Sequence, residues 1–379
     1  MKYTSSFLRR TANGKGWRGV LSYKEDGRWK LKSKSLKSRL KRDAKLELAE
    51  WWKEMESEAA IHVVQDDIVE YALAYIARKL SLGAIQPASA KDYSSSMRGW
   101  QPYIGGTPLS EITREQIESG LSDMLTRLSA NTVLKRYIAL NMVLEHAVSV
   151  RELKANPMDG IPRPRKVLSP PNSLVGDELE RVVDRISALP LQAWVVAVHL
   201  CLYAGLRAEE TCGLRYSDID LDAGVGWVRN AIAYGDGGAY VAPPKNGKPR
   251  DFPLSSSLRE IVRRWIEHQR LAYAEKGIPL ERDAWLLALP GSGIVDPRRI
   301  GRKWSMLCDI EGFRGQEGRK PSLHDLRHSF ATACVRGGMD IKTLQGILGH
   351  ASAAMTLDVY ASADPAAKAG AASLIDSVL

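Results

Sequence analysis

"HDLRHSFAT", residues 324–332, is the stretch on which the reading of this chain turns. Leu323, Leu326 and Phe330 recur at helical spacing, so the segment reads as part of a helix over about 323–337 with an apolar ridge. His324 and Arg327 stand three residues apart and project together beside that ridge. An imidazole and a permanently charged planar fork aimed at one place suit an anion. A metal site is the rival reading, because His324 and His328 are four apart with Asp325 between them, in the manner of H-E-x-x-H. Aspartate in place of that glutamate, and the charge of Arg327 beside the cation, weigh against it.

Three further stretches supply residues of the same kind. "AGLRAEETCGLRYSDID", 204–220, carries Arg207 and Glu210; "PPKNGKPRDFPL", 243–254, carries Lys245 in a turn, with Lys248 as a competitor; "LGHASAAMTLDVYAS", 348–362, carries His350 and Tyr360. Together they describe a cationic pocket with one phenol. Arginines cannot serve as bases at neutral pH, but they neutralise phosphate oxygens. A lysine ammonium can protonate a departing alkoxide. A phenol with a pKa of about 10 needs nearby cations and a proton acceptor before it attacks phosphorus, and this set contains both. The chemistry implied is phosphoryl transfer without metal or other cofactor, with tyrosine as the covalent nucleophile.

The charge distribution points to the same substrate. The chain of 379 residues carries a formal net charge of +10. Residues 1–45 hold 15 Lys and Arg against Glu25, Asp26 and Asp43, a net of +12, which leaves −2 for the remainder. A basic module this concentrated fits phosphate backbones better than an anionic membrane surface. No apolar leader or run of roughly 20 apolar residues is present, so a cytoplasmic protein is expected, with no membrane partner. Cys201, Cys212, Cys308 and Cys334 lack C-x-x-C spacing and read as buried small residues in a reducing compartment.

The patterning predicts a multidomain α+β protein. Residues 16–37 alternate as strands around the turn "KEDG", giving a small basic β-sheet that a helix over about 39–58 backs, a first domain of residues 1–60. Arg18, Lys30, Lys32 and Lys34 are its candidate DNA contacts. Helices at about 66–80, 88–103, 113–128 and 130–150 form a second domain, 61–160, with Thr113 and Gln116 as a capping box. Lys91, Arg98, Lys135 and Arg136 are candidate phosphate contacts there. A proline-rich linker, 161–173, leads to the last domain, 174–379, mostly helical with one small antiparallel sheet. Its helices are expected at about 177–189, 191–204, 256–276, 297–311, 323–337, 340–349 and 354–362.

The three boxes around Arg207, His324 to Arg327, and His350 to Tyr360 resemble, in order and spacing, the signatures of the tyrosine recombinases, the phage integrase family. "PPKNGKPRDFPL" is similar to that family's lysine-bearing hairpin, a shorter match. The resemblance implies that Arg207 and Arg327 bind the scissile phosphate and that Lys245 protonates the leaving 5′ oxygen. His324 would assist proton transfer from the nucleophile, His350 would bond the phosphate, and Tyr360 would form the 3′-phosphotyrosyl link. Glu210 would steady the first arginine. It also implies an arm-binding first domain, a core-binding, SAM-like second domain, and a homotetramer on double-stranded DNA carrying core and arm-type att sites. Strands would exchange through a Holliday junction, to integrate or excise a phage or mobile element. A directionality factor and a host DNA-bending protein are partners the family leaves open. Leu374, Ile375, Val378 and Leu379 form an apolar stripe expected to dock on a neighbouring subunit. Type IB topoisomerase-like cleavage and religation, or an inert DNA-binding regulator, are the alternatives.

Overall fold

The alternation of β-formers in the basic N-terminal stretch produces a three-stranded antiparallel sheet, β1 (Tyr3–Arg10), β2 (Trp17–Glu25) and β3 (Arg28–Ser35), in that order. The computed structural model describes residues 3–12, 14–25, 28–59, 67–245 and 247–350. Contacts divide the chain into two units, Met1–Val167 and Leu168–Leu379.

In the first unit α1 (Lys41–Ala59) lies on one face of the sheet, where Leu21, Leu36, Ala44, Leu48 and Trp51 are buried together. Gly19 makes the close approach possible, since a Cβ there would sit 2.9 Å from Leu48. A separate core joins α2 (Ile68–Ser81), α3 (Pro87–Arg98), α4 (Gln101–Ile104), α5 (Arg114–Arg127) and α6 (Ala130–Ser149). Both bonds of the Thr113–Gln116 capping box are present. The single helix expected at 88–103 is broken at Gly99 and Trp100. Gly99 lies against the Arg136 side chain, with no room for a Cβ, and the Trp100 indole donates to the Arg136 carbonyl at 3.0 Å.

In the second unit α8 (Ala193–Tyr203) is buried on nearly every side, from Val195 to Leu202. It packs against α7 (Gly176–Ser187), α9 (Ala208–Cys212), α10 (Ser256–Glu275), α11 (Pro297–Glu311) and α12 (Leu323–Arg336). An apolar helix without a polar face can only be central. α13 (Ile341–Leu348) follows and ends at Gly349, whose left-handed φ of 63° closes the helix.

Two expectations are corrected here. The expected single sheet is two, because the run "GVGWVRNAIAY" divides into two strands that join different sheets. β4 (Ile219–Asp220), β5 (Val225–Val228) and β8 (Arg250–Pro253) form one sheet, β6 (Ala231–Gly235) and β7 (Gly238–Ala242) another. The chain changes sheets at Arg229 and Asn230, where Arg229 is drawn to Asp218 at 2.5 Å. Lys245 is therefore not at a hairpin tip: it lies in the loop from β7 to β8, which belong to different sheets. The proline-rich stretch lacks regular structure from 161 to 175. Ile161 nevertheless belongs to the helical core, and in the second unit the Leu174 N–H donates to Ser329 at 2.7 Å.

Candidate active site

The site is built on Glu210, a carboxylate 1% exposed on α9. Its oxygens accept from the Arg207 backbone N–H at 2.9 Å and from Arg207 Nη1 at 2.8 Å. Arg250 of β8 meets it as a fork, Nη1 to Oε1 at 2.9 Å and Nη2 to Oε2 at 2.6 Å. Arg327 Nη1 stands 3.8 Å away. Burial pushes this carboxyl up, but the hydrogen bonds and charge of Arg250, then of Arg207, outweigh it and hold the pKa at about 2. One anion thus organises three guanidinium groups that would otherwise repel.

Two of these arginines also hold the end of α13. Arg250 Nε donates to the Ile347 carbonyl at 2.7 Å, and Arg327 Nη2 to the Leu348 carbonyl at 2.6 Å. Arg327 Nη1 donates to the Gly205 carbonyl at 2.7 Å. Arg327 was expected to offer its fork to phosphate. In this structure it is 2% exposed, and each terminal nitrogen gives one of its two N–H groups to a backbone carbonyl, which leaves the other for a further acceptor. Burial, then the charge of Arg207, lowers its pKa to about 9.

Above this base lies a concavity of about 420 Å³ lined by Arg207, Lys245, Lys248, Arg250, Lys342 and His350, among others. Lys245 and Lys248 share it, so both remain candidates for one proton donor. His350 is placed by two backbone bonds, its N–H donating to the Gln345 carbonyl at 3.2 Å and its carbonyl accepting from Gln345 Nε2 at 3.2 Å. Burial, then Arg327 and Arg207, push its imidazole down to about 3. A second concavity of about 420 Å³ shares Arg207 and is lined on another wall by His324. His324 keeps an open edge, yet crowding by protein, then His328, Arg327 and Arg207, push it down to about 4. Both imidazoles are neutral at pH 7 and able to accept a proton or a hydrogen bond.

His324 and His328 meet edge to face, ring centroids 4.7 Å apart. Among the described residues no group of three or more His, Cys, Asp and Glu converges as a metal cage. Tyr360 lies outside the described residues, as does the expected helix at 354–362 and the apolar stripe after it. Arg250 is the residue that sequence reasoning missed. It sits 40 positions from Glu210 in a short strand with nothing local to mark it.

A family model described as the phage integrase family matches residues 172–367. The chain belongs to the phage integrase family. Its curated relatives include tyrosine recombinase XerC of Escherichia coli O157:H7 (strain EC4115 / EHEC), 29% identical over 255 residues, covering 64% of this chain and 77% of that one. Tyrosine recombinase XerD of Caulobacter vibrioides is 28% identical over 289 residues, covering 73% of this chain and 88% of that one. Among solved structures, the Tn1549 transposon integrase in complex with transposon right end DNA has a TM-score of 0.64 at 21% identity, over 78% of this chain and 95% of that one. A lambda integrase tetramer bound to a Holliday junction has a TM-score of 0.58 at 18% identity, over 91% and 95% of the two chains. These two likenesses are of fold.

In the N-terminal sheet the register sorts the candidate DNA contacts onto two faces. Residues paired across strands share a face. Lys30, Lys32 and Lys34 pair with Tyr23, Leu21 and Gly19, so they belong to the helix-bearing face, exposed because β3 is an edge strand. Arg18 pairs with Ser35 and Arg9 on the opposite, uncovered face, along with Phe7, Trp29 and Leu31. The three lysines thus share one face, and Arg18 lies on the other. In the helical core Arg98 and Lys135 are exposed and Lys91 half-buried. Arg136 is engaged, donating to the Gly99 carbonyl at 3.1 Å.

Proposed function

We propose that this member of the phage integrase family is a site-specific recombinase that cuts and rejoins double-stranded DNA through a 3′-phosphotyrosyl link. The observation that carries this reading is the convergence of Arg207, His350 and Lys245 on one concavity, with His324 on its neighbour and the buried Glu210 cluster beneath both. The relatives' names, tyrosine recombinases, agree with it.

The Tyr360 oxygen attacks the scissile phosphorus, a P–O bond to tyrosine forms, and the P–O5′ bond breaks. The phenol proton passes to neutral His324, and Lys245 gives a proton to the departing 5′ oxygen. Arg207, Arg327 and His350 bond the non-bridging oxygens, and the two arginines offset the extra negative charge of the transition state. The 5′ hydroxyl of another strand then reverses these steps. Because the link conserves the phosphodiester's energy, no ATP is consumed. Residues 1–60 are assigned to arm-type sites, 61–160 to the core site, and 174–379 to catalysis, with 161–173 connecting the last two. Lys91, Arg98 and Lys135 contact core DNA, while Arg18 and the β3 lysines contact arm DNA. Four subunits assemble on DNA and exchange strands through a Holliday junction, in the cytoplasm of a bacterial cell at its nucleoid. The stripe from Leu374 to Leu379 docks on a neighbouring subunit.

Random-sequence nicked duplexes incubated with the protein in EDTA test this directly. A DNA–protein adduct on a denaturing gel is expected from the wild type and none from Tyr360→Phe. An adduct that survives the substitution removes the nucleophile, and one that requires metal removes the mechanism.

A further inference from the structure

His328 takes no part in the steps above, yet it stands one helical turn after His324 on α12. The two rings meet almost at right angles, 88° between their planes, with centroids 4.7 Å apart. That is an edge-to-face contact of the kind aromatic pairs prefer. His324 is exposed and borders the concavity it shares with Arg207. His328 is half-buried and belongs to the lining of neither concavity.

The helix fixes where the His324 side chain begins, but the second torsion of a histidine is broad. Among the described residues the imidazole has no hydrogen bond to narrow it. Proton transfer requires a nitrogen within about 2.6–3.2 Å of the oxygen that gives the proton. A ring free to turn meets that requirement only part of the time. The perpendicular ring of His328 supplies the missing restraint. Its own Nδ1 is buried and has no hydrogen-bond partner among the described residues, so packing alone holds this second ring. Burial, then the charge of Arg327, lowers its pKa against the opposing pull of Asp325, so it is neutral at pH 7 and adds no charge beside Arg207 and Arg327.

We propose that His328 is a positioning residue for proton transfer in strand cleavage: its ring fixes the His324 imidazole at the edge of the concavity and shields the inner face of that imidazole from water. The proposal rests on the recombinase reading. Without the His328 ring two things change at His324. The imidazole turns, which slows proton transfer. Water reaches its inner face, which raises its pKa from about 4 toward the ordinary 6.5, because burial is the largest cause of the depression and His328 the next. The other charges about His324 stay as they are. They are Arg327 and Asp325 on α12, Arg207, and Arg298, Lys320 and Glu209 on the lining of its concavity, where Tyr234 adds a phenol.

The test follows single-turnover cleavage of a duplex captured as a covalent adduct from the random-sequence pool. His328→Ala is expected to slow cleavage about 30-fold at neutral pH, somewhat less than a misplacement of 1 Å can cost, while affinity for the same duplex holds within about twofold. Its rate should fall below about pH 6.5, where the wild type stays level to about pH 5.5. In a protein that already carries His324→Ala, His328→Ala should cost nothing further, as for two residues acting through one step. His328→Phe keeps the ring and removes the buried nitrogen, and it guards against a folding defect in the alanine variant. It should unfold no more readily than the wild type, cleave within about threefold of its rate, and share its level profile in acid. An equal cost of His328→Ala with and without His324, or a phenylalanine variant as slow as the alanine one, overturns the positioning role while leaving the recombinase reading intact. If the wild type captures no duplex in the pool, the recombinase reading falls and the positioning role with it.

Discussion

Two cationic regions of this molecule contain similar charge and use it differently. Around Glu210, Arg327 is buried and Arg207 and Arg250 are mostly so, joined to one carboxylate and to the carbonyls of residues 205, 347 and 348. On β3, Lys30, Lys32 and Lys34 stand at a sheet edge with every residue of the strand exposed. Buried charge in a low dielectric is strong, fixed in direction and costly to unbalance. Exposed charge is screened by salt within about 10 Å at 0.1 M and acts as a sum. The comparison separates a surface suited to attracting DNA from a site suited to the proposed task of holding one phosphorus atom in place.

Removing the shared anion should break the comparison most severely. Glu210→Ala leaves three arginines unpaired, and a loss of about 3–5 kcal/mol is expected, as for any broken buried pair. Urea unfolding measures it, and a change comparable to that of an exposed residue would show that the cluster is not held by this carboxylate. Arg250→Lys is the next largest effect. The charge survives but the fork to Glu210 and the bond to Ile347 do not, so His350 loses its fixed approach. Cleavage should fall about 100-fold, the usual consequence of a misplacement near 1 Å, while DNA affinity holds within about twofold. A loss of affinity without a loss of single-turnover rate would place Arg250 in binding instead.

Acid sharpens the same contrast. The folded pKa of His350 and of His324 is lowered, to about 3 and about 4, from the ordinary 6.5. Between those values the unfolded chain binds more protons than the folded one, so stability is complete above pH 6.5 and declines as pH falls. Glu210, lowered to about 2, prolongs the decline below its ordinary 4.5. Thermal melting should therefore drop steadily from pH 6.5 to pH 4, and a flat profile would contradict the site's electrostatics. The smallest effect on stability belongs to the lysine strand. Lys30, Lys32 and Lys34 replaced together by alanine should change unfolding by no more than about 0.5 kcal/mol each. The salt dependence of arm-DNA binding should nevertheless flatten by nearly 3 in log–log slope.

What could be read in the sequence follows from how local each signal is. Thr113 and Gln116, or the run Val195 to Leu202, announce their structure within a few residues, because helix caps and helical burial are short-range. Arg207, His324 and His350 could be picked out because their chemistry is unusual for their surroundings. The split of the sheet at Arg229 could not, since a strand's partner is chosen by the whole fold and "GVGWVRNAIAY" alternates well enough to pass as one strand. Lys245 was placed on a hairpin for the same reason. Arg250 was invisible because its importance lies in Glu210 and Ile347, 40 and 97 residues away along the chain. The lysines of β3 were legible as charge, but which face they occupy is set by their register against β2.

The closure of α13 at Gly349 has a further consequence. With the two preceding carbonyls latched by arginines from β8 and α12, position 350 is a fixed point on the body of the second unit. Tyr360 is ten residues further on, and ten residues fully extended span at most about 33–36 Å. As the proposed nucleophile it is therefore leashed: wherever it acts, it does so within a sphere of that radius about its own anchor. A tether so short keeps the reacting partners at an effective concentration in the millimolar range or above. In the proposed mechanism the phenol becomes bonded to a cut strand, and the same leash would then confine the broken DNA end to the neighbourhood of the protein that cut it, so that rejoining would be set by geometry instead of by diffusion.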